Sequence, residues 1–178
     1  MVSVQRAGGA GTGKLAVLLA TYNGARFLDA QLQSVIAQDW PAIDVFASDD
    51  SSTDGTADLL ASWQRIWNKG TFSVVTGPGL GFSNNFRKLM AESEVHAEYV
   101  AFCDQDDIWL PEKTKVAVAA LEEHGSRPAL YCARTTITDV DDRAISLSTL
   151  FRRTPDFANA LVQSIGGGNT MVMNRPAF

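Results

Sequence analysis

VFASDDSSTDGT, residues 45–56, passes from an apolar run through two adjacent carboxylates into a turn dense in Ser, Thr, Asp and Gly. The apolar part begins at Ile43 and reads IDVFAS to Ser48, the pattern of a buried strand. Asp49 to Gly55 is the turn, and Ala57, Leu59, Leu60, Trp63 and Ile66 then recur at the spacing of an amphipathic helix. The same unit stands upstream. KLAVLLAT over residues 14–21 is a continuous apolar strand, and Phe27, Leu28, Leu32, Val35 and Ile36 place a helix over residues 26–38 that ends at Asp39 to Pro41.

Downstream, a third strand at residues 72–76 leads into a glycine-rich segment, Gly77 to Gly81, which either permits close backbone approach or is a surface turn. A helix over residues 83–93, a strand over 99–103, a helix from Pro111 to about His124 and a strand over 129–133 follow. Residues 135–145 suggest a hairpin, residues 156–165 a helix, Gly166 to Gly168 a mobile turn, and residues 170–173 a last apolar run. This alternation predicts an α/β fold with a mainly parallel, doubly wound central sheet flanked by helices. Ligands of such sheets lie at the carboxyl ends of the strands, where Thr21, Asp49, Asp50 and Asp104 fall.

The chain has 178 residues, 46% of them hydrophobic and 20% charged, enough for one substantial core. The expected organisation is a flexible, glycine-rich leader at 1–13 and a single domain over 14–178. A net charge of −5 argues against nucleic acid as a partner. The apolar runs are strand-sized, so no transmembrane segment is expected, and with no secretory signal the chain reads as cytoplasmic. Cys103 and Cys132 lie in apolar runs, as buried thiols do.

Asp104, Gln105, Asp106 and Asp107 directly follow the fourth strand. Closely spaced carboxylates repel unless protons or a cation neutralise them. Oxygen donors with no histidine or cysteine among them favour Mg2+ or Mn2+, and such an ion keeps positions open for phosphates. A solvated acidic turn is the bland alternative. GGAGTGK at residues 8–14 has the spacing of a phosphate loop, but Leu15 replaces the required Ser or Thr and the segment precedes a strand. Trp63 and Trp67 share a helical face and read as core. Asn84 and Asn85 could reach a phosphate or cap a helix, His96 and His124 read as surface residues, and Trp109 as a loop anchor.

Three ordered motifs, Ala20 to Gly24 (ATYNG), the VFASDDSSTDGT stretch and FCDQDDIWLP at residues 102–111, resemble the family 2 glycosyltransferases, particularly bacterial rhamnosyltransferase-like members. The resemblance covers residues 15–174 and implies the GT-A fold, a Rossmann-like nucleotide-diphospho-sugar transferase fold. It implies a donor nucleotide site of Thr21, Tyr22, Asn23, Asp49, Asp50 and Asp104, with Tyr22 stacked on the base and Asp50 accepting from base or ribose. Asp106 would ligate the metal, Asp104 would orient the sugar and ribose end of the donor beside it, and Asp107 is left unassigned. The implied activity is metal-dependent inverting transfer from a UDP- or dTDP-sugar to a polysaccharide or lipid-linked glycan, compatible with peripheral membrane association. Inversion requires a base, which the family places beyond residues 170–173 and so beyond Phe178. Asp139, Asp141, Asp142 and Asp156 precede that place, and an acceptor part truncated from the chain is the expectation. Two rivals remain: a nucleotidyltransferase, which would carry a glycine-rich basic loop where TYNGARF stands, and a non-catalytic nucleotide-sugar-binding module.

Overall fold

A computed structural model of the chain describes residues 13–150 and 156–178; the expected leader lies outside them except for Gly13. The elements run β1 (Leu15–Thr21), α1 (Ala25–Ile36), β2 (Ile43–Asp49), α2 (Thr56–Ile66), β3 (Phe72–Thr76), α3 (Phe82–Glu92), β4 (Tyr99–Cys103), α4 (Lys113–Glu122), β5 (Leu130–Tyr131), β6 (Thr136–Thr138), β7 (Ala144–Leu147), α5 (Phe157–Val162) and β8 (Val172–Asn174), with a short 3-10 turn at Gly168–Thr170. One six-stranded sheet has the order β3-β2-β1-β4-β8-β5, and β6-β7 form a separate hairpin.

β1, β2, β3 and β4 pair in parallel, while β8 runs antiparallel to both β4 and β5. The chain moves outward from β1 to β3 and then returns to place β4 on the other side of β1. The crevice between the carboxyl ends of β1 and β4 is therefore the topological switch point, where open α/β sheets bind ligands.

β1 is buried along its whole length, which is why its sequence shows no alternation. Its side chains nevertheless divide with period two. Leu15, Val17 and Leu19 join a cluster with Leu28, Leu32 and Val35 of α1, Leu60 and Trp63 of α2 and Val118 and Leu121 of α4. Ala16, Leu18 and Ala20 face Leu89 of α3, Val95 and Met173. Helices thus cover both faces, as the alternation predicts.

Trp63 and Trp67 are core residues, and the Trp67 ring N–H donates to the Ile43 carbonyl at 2.9 Å. Gly70 lies so close beneath β2 that a methyl group there would stand 2.6 Å from the Ile43 carbonyl oxygen and 3.0 Å from its carbon. Backbone cannot yield as a side-chain tip can, so Gly70→Ala is expected to destabilise the fold by about 1–3 kcal/mol in urea unfolding.

Several boundaries depart from the sequence reading. Pro111 does not open α4; it precedes the helix in a turn closed by the Lys113 N–H on the Leu110 carbonyl. The strand expected over 129–133 is only Leu130–Tyr131, an edge strand that pairs on one side alone, with the three-residue β8. Cys103 is buried, whereas Cys132 follows β5 and is half-buried against Gly166. The hairpin forms and continues to Leu147. The helix expected over 156–165 spans Phe157–Val162, with Asp156 as its cap.

Candidate functional site

The turn after β2 builds the loop after β1. Asp54 accepts from the Ala25 N–H at 3.0 Å, and Thr56 Oγ1 accepts from the Gly24 N–H at 2.9 Å, so donors at the start of α1 are satisfied from another element. Asn23 adopts a left-handed backbone (φ 48°), its N–H donating to Ser52 Oγ at 2.8 Å and its side-chain oxygen accepting from the Thr53 N–H at 2.9 Å. The Ser-Thr-Asp-Gly-Thr motif is, in physical terms, a brace that holds residues 23–25 in one conformation.

Thr21 and Asp49 are bonded to each other: Thr21 Oγ1 donates to Asp49 Oδ1 at 2.9 Å, and Asp49 also accepts from the Ser52 N–H at 3.0 Å and hydroxyl at 2.6 Å. Asp50, 5% exposed, receives the Gly79 N–H on one oxygen at 2.6 Å and the Gly81 N–H on the other at 2.8 Å. Gly79 (φ 70°) and Gly81 (φ 88°) reach this arrangement through positive φ with room for a Cβ at either, whereas a Cβ at Gly77 would stand 2.6 Å from Asp50 Oδ1 and 2.8 Å from the Asp50 Cα, so close backbone approach is the role of Gly77 and conformational freedom that of the other two. Thr21, Asn23, Asp49 and Asp50, expected at a donor nucleotide, thus each already hold an internal partner. Asn85 is buried with its side-chain N–H on the Ser48 carbonyl at 2.9 Å, and Asn84 turns to the Leu80 carbonyl at 3.0 Å. His96 and His124 are exposed.

Tyr22 differs from its neighbours. Its side chain is 59% exposed, while its peptide is held on both sides by Gln105: the Tyr22 N–H donates to Gln105 Oε1 at 2.7 Å and Gln105 Nε2 donates to the Tyr22 carbonyl at 2.9 Å. The flat ring therefore projects from a fixed backbone at the edge of the switch-point crevice.

On the β4 side of that crevice, Asp104 and Asp107 are half-buried and Asp106 is exposed. Asp107 accepts from the Asn169 side chain at 2.7 Å. Lys113 donates to the Asn169 carbonyl at 2.7 Å and lies 3.6 Å from the centroid of the Trp109 ring, which is buried as a loop anchor should be. No local signal in the sequence marks Gln105, Asn169 or Lys113 as site residues; Asn169 adjoins the Gly166 to Gly168 run that reads only as a turn.

Burial pushes the Asp104 carboxyl above its ordinary range, and the charges of Asp107 and Asp106 push it further. Burial also raises Asp107, against the Asn169 hydrogen bond, and burial pulls the Lys113 ammonium down to about 8. Cys103, beneath them, is buried and held protonated by that burial. The donor set is thus crowded, hard and short of positive charge, and it fits a divalent cation. Among the described residues no three His, Cys, Asp or Glu side chains converge as a complete metal cage, so an ion here would draw further oxygens from water or a bound phosphate.

The raised Asp104 pKa has a measurable consequence. A carboxyl raised in the folded state costs stability above its folded pKa and ceases to cost it below the unfolded value of 3.8. Without metal, Asp104→Asn is expected to melt above the parent chain at pH 7, by an increment that solvent screening of the half-buried group keeps small. The gap should close as the pH is lowered towards 4, which thermal melts at several pH values would check.

The other acids are engaged elsewhere. Asp139 accepts the N–H groups of Asp141 and Arg143 within the hairpin turn, Asp141 pairs with Arg143, Asp142 has φ 60° in the same turn, and Asp156 caps α5.

Residues 16–178 match Glycosyl transferase family 2. The chain is 36% identical to dTDP-rhamnosyl transferase RfbG of Shigella flexneri over 106 residues, 58% of this chain and 36% of that protein. It is 28% identical over 156 residues to an uncharacterized glycosyltransferase, alr2836, of Nostoc sp., covering 85% of this chain and 46% of the relative. The crystal structure of residues 1–349 of S. aureus TarS in complex with UDP-GlcNAc superposes with a TM-score of 0.55 at 28% identity, over 74% of this chain and 36% of that one. The chain therefore spans less than half the length of these relatives. No helix among the described residues is long and apolar enough to cross a membrane.

Proposed function

The chain belongs to glycosyl transferase family 2 and has the GT-A arrangement of that family's solved structures, and from this premise we propose that residues 14–178 are one domain that binds a nucleotide-diphospho-sugar at the β1/β4 crevice. The exposed Tyr22 ring, fixed beside the Asp104 to Asp107 cluster, carries the proposal. A base stacks on Tyr22, and the diphosphate lies towards the carboxylates. Asp106, with Asp104 beside it, would hold Mg2+ or Mn2+, which as a Lewis acid stabilises the departing nucleoside diphosphate.

The remaining roles belong to the protein. Thr21, Asn23 and Asp49 keep the Tyr22 loop in shape through the bonds already described. Asp50 fixes the glycine loop and keeps one lone pair per oxygen for a base or ribose donor. Transfer would be inverting, from a UDP- or dTDP-sugar to a polysaccharide or lipid-linked glycan. RfbG is a dTDP-rhamnosyl transferase and the TarS crystal structure holds UDP-GlcNAc, which supports these two nucleotides. A cytoplasmic, peripherally membrane-associated enzyme suits a lipid-linked acceptor. The engagement of Asp139, Asp141 and Asp156 elsewhere gives substance to a second reading, in which this stretch by itself binds donor without turning it over.

Calorimetry with UDP and dTDP, with and without Mn2+, tests the binding claim. Mn2+-dependent binding of either supports it, and binding of neither ends it. Release of nucleoside diphosphate from an intact UDP- or dTDP-sugar then separates transferase from binding module.

A further inference from the structure

The β1/β4 ladder ends at the pairing of Leu19 with Cys103, and beyond it the two chains diverge. Gln105 closes the gap with its side chain. Its amide presents one acceptor and one donor to a single residue, taking the Tyr22 N–H at 2.7 Å and giving a hydrogen to the Tyr22 carbonyl at 2.9 Å, and so holds the peptide groups on both sides of Tyr22. A primary amide is the side-chain group that matches the N–H and C=O of one residue in this two-way manner; a carboxylate would set oxygen against the carbonyl, and an alkyl chain would leave both groups to water. Gln105 is also the residue between Asp104 and Asp106, so the amide belongs to the backbone segment that carries the carboxylates.

Gly24 adds a second observation. A methyl group at Gly24 would overlap Gln105 Oε1 and stand 2.4 Å from its amide carbon and 3.0 Å from its Cγ. The overlap involves most of the side chain, so rotation of its tip alone does not relieve it. Gly24 has φ −106°, a conformation open to any residue, so glycine is required there by the space Gln105 occupies and not by the backbone.

We propose that Gln105 is a positioning residue that locks the Tyr22 loop to the carboxylate loop, and so fixes the distance between the base-stacking ring and the diphosphate end of the site. The proposal rests on the donor-site reading above. Gln105 itself touches no ligand; it acts through Tyr22.

The test uses calorimetry in Mn2+ with two probes, UDP and inorganic pyrophosphate, on the parent chain and on Gln105→Ala, Tyr22→Ala, Gly24→Ala and the pairwise combinations with Gln105→Ala. Two hydrogen bonds at about 1 kcal/mol each predict a loss of UDP affinity of roughly 10- to 30-fold in Gln105→Ala. Pyrophosphate, which has no base to stack, should bind Gln105→Ala as it binds the parent. In the Tyr22→Ala background the further loss from Gln105→Ala should shrink to less than about 3-fold, because nothing is left to position. Gly24→Ala, which displaces the amide while leaving Gln105 itself in the sequence, should reproduce the Gln105→Ala profile and add little to it.

Unchanged UDP affinity in Gln105→Ala overturns the inference, as do fully additive losses with Tyr22→Ala. An equal loss for pyrophosphate also overturns it, since that would mark a merely structural support of the carboxylate loop. If the parent chain binds neither UDP nor dTDP, the donor-site reading falls and this inference falls with it. If the parent binds and the variants behave like it, only this inference falls.

Discussion

Asp106→Ala is expected to remove the Mn2+-dependent part of UDP or dTDP binding while leaving the unliganded fold as stable as before. The side chain is exposed, so its loss should change unfolding free energy by no more than about 0.5 kcal/mol. Asp106 would hold the proposed ion beside the diphosphate, and losing that hold should weaken binding by about 100-fold, near 3 kcal/mol. Asp104→Asn should lose much of the same increment yet melt higher than the parent, since burial and the charges of Asp107 and Asp106 penalise the carboxylate more than Lys113 relieves it. This opposite behaviour is the signature of a binding cluster, for a solvated acidic turn would show neither effect. Titrations with and without Mn2+, beside melts of the unliganded variants, would decide. A Mn2+ increment that survives both substitutions would remove the cluster from the site.

The reasons for the sequence's legibility lie in particular elements. β1 and β2 are buried on both faces and cannot hide: continuous apolar runs of that length, each followed by a helical period, leave little but a parallel α/β sheet. β8 was legible as an apolar run but not as an antiparallel strand between β4 and β5, because direction is set by tertiary pairing and leaves no trace in three residues. Asp50 and Asp104 to Asp107 could be singled out by residue type and by position at strand ends, and Tyr22 through the family resemblance carried by ATYNG. Their partners could not. The N–H groups of Gly79 and Gly81 that meet Asp50 are common to every non-proline residue, so their convergence appears only once two positive-φ glycines are folded over the carboxylate. Gln105 with Tyr22, and Asn169 with Asp107, are pairs far apart in sequence that local periodicity cannot join. In the candidate site the motif letters named the groups, while the long-range bonds decided which of them remain free for a ligand.

Asp50→Asn is the substitution expected to cost the fold most for the smallest change in shape. Both oxygens of the nearly buried carboxylate accept backbone N–H groups, so whichever way an asparagine amide is turned, its NH2 faces a donor. One charge-assisted bond is lost, one glycine N–H is stranded, and the remaining bond falls to neutral strength. Together these should cost about 2–4 kcal/mol in urea unfolding. Gly79 and Gly81 would exchange their amide hydrogens much faster than in the parent, whereas core amides of β1 would change only by the global loss of stability. A variant with parental stability and parental exchange at both glycines would show that the carboxylate does not hold the loop. Ligand binding separates this structural duty from contact with the base. If Asp50 only fixes the glycine loop, osmolyte that restores the fold should restore UDP affinity as well. If it also accepts a hydrogen from the base or ribose, UDP binding should stay weak in the refolded variant while pyrophosphate binding recovers, because only the nucleoside end would have lost a partner.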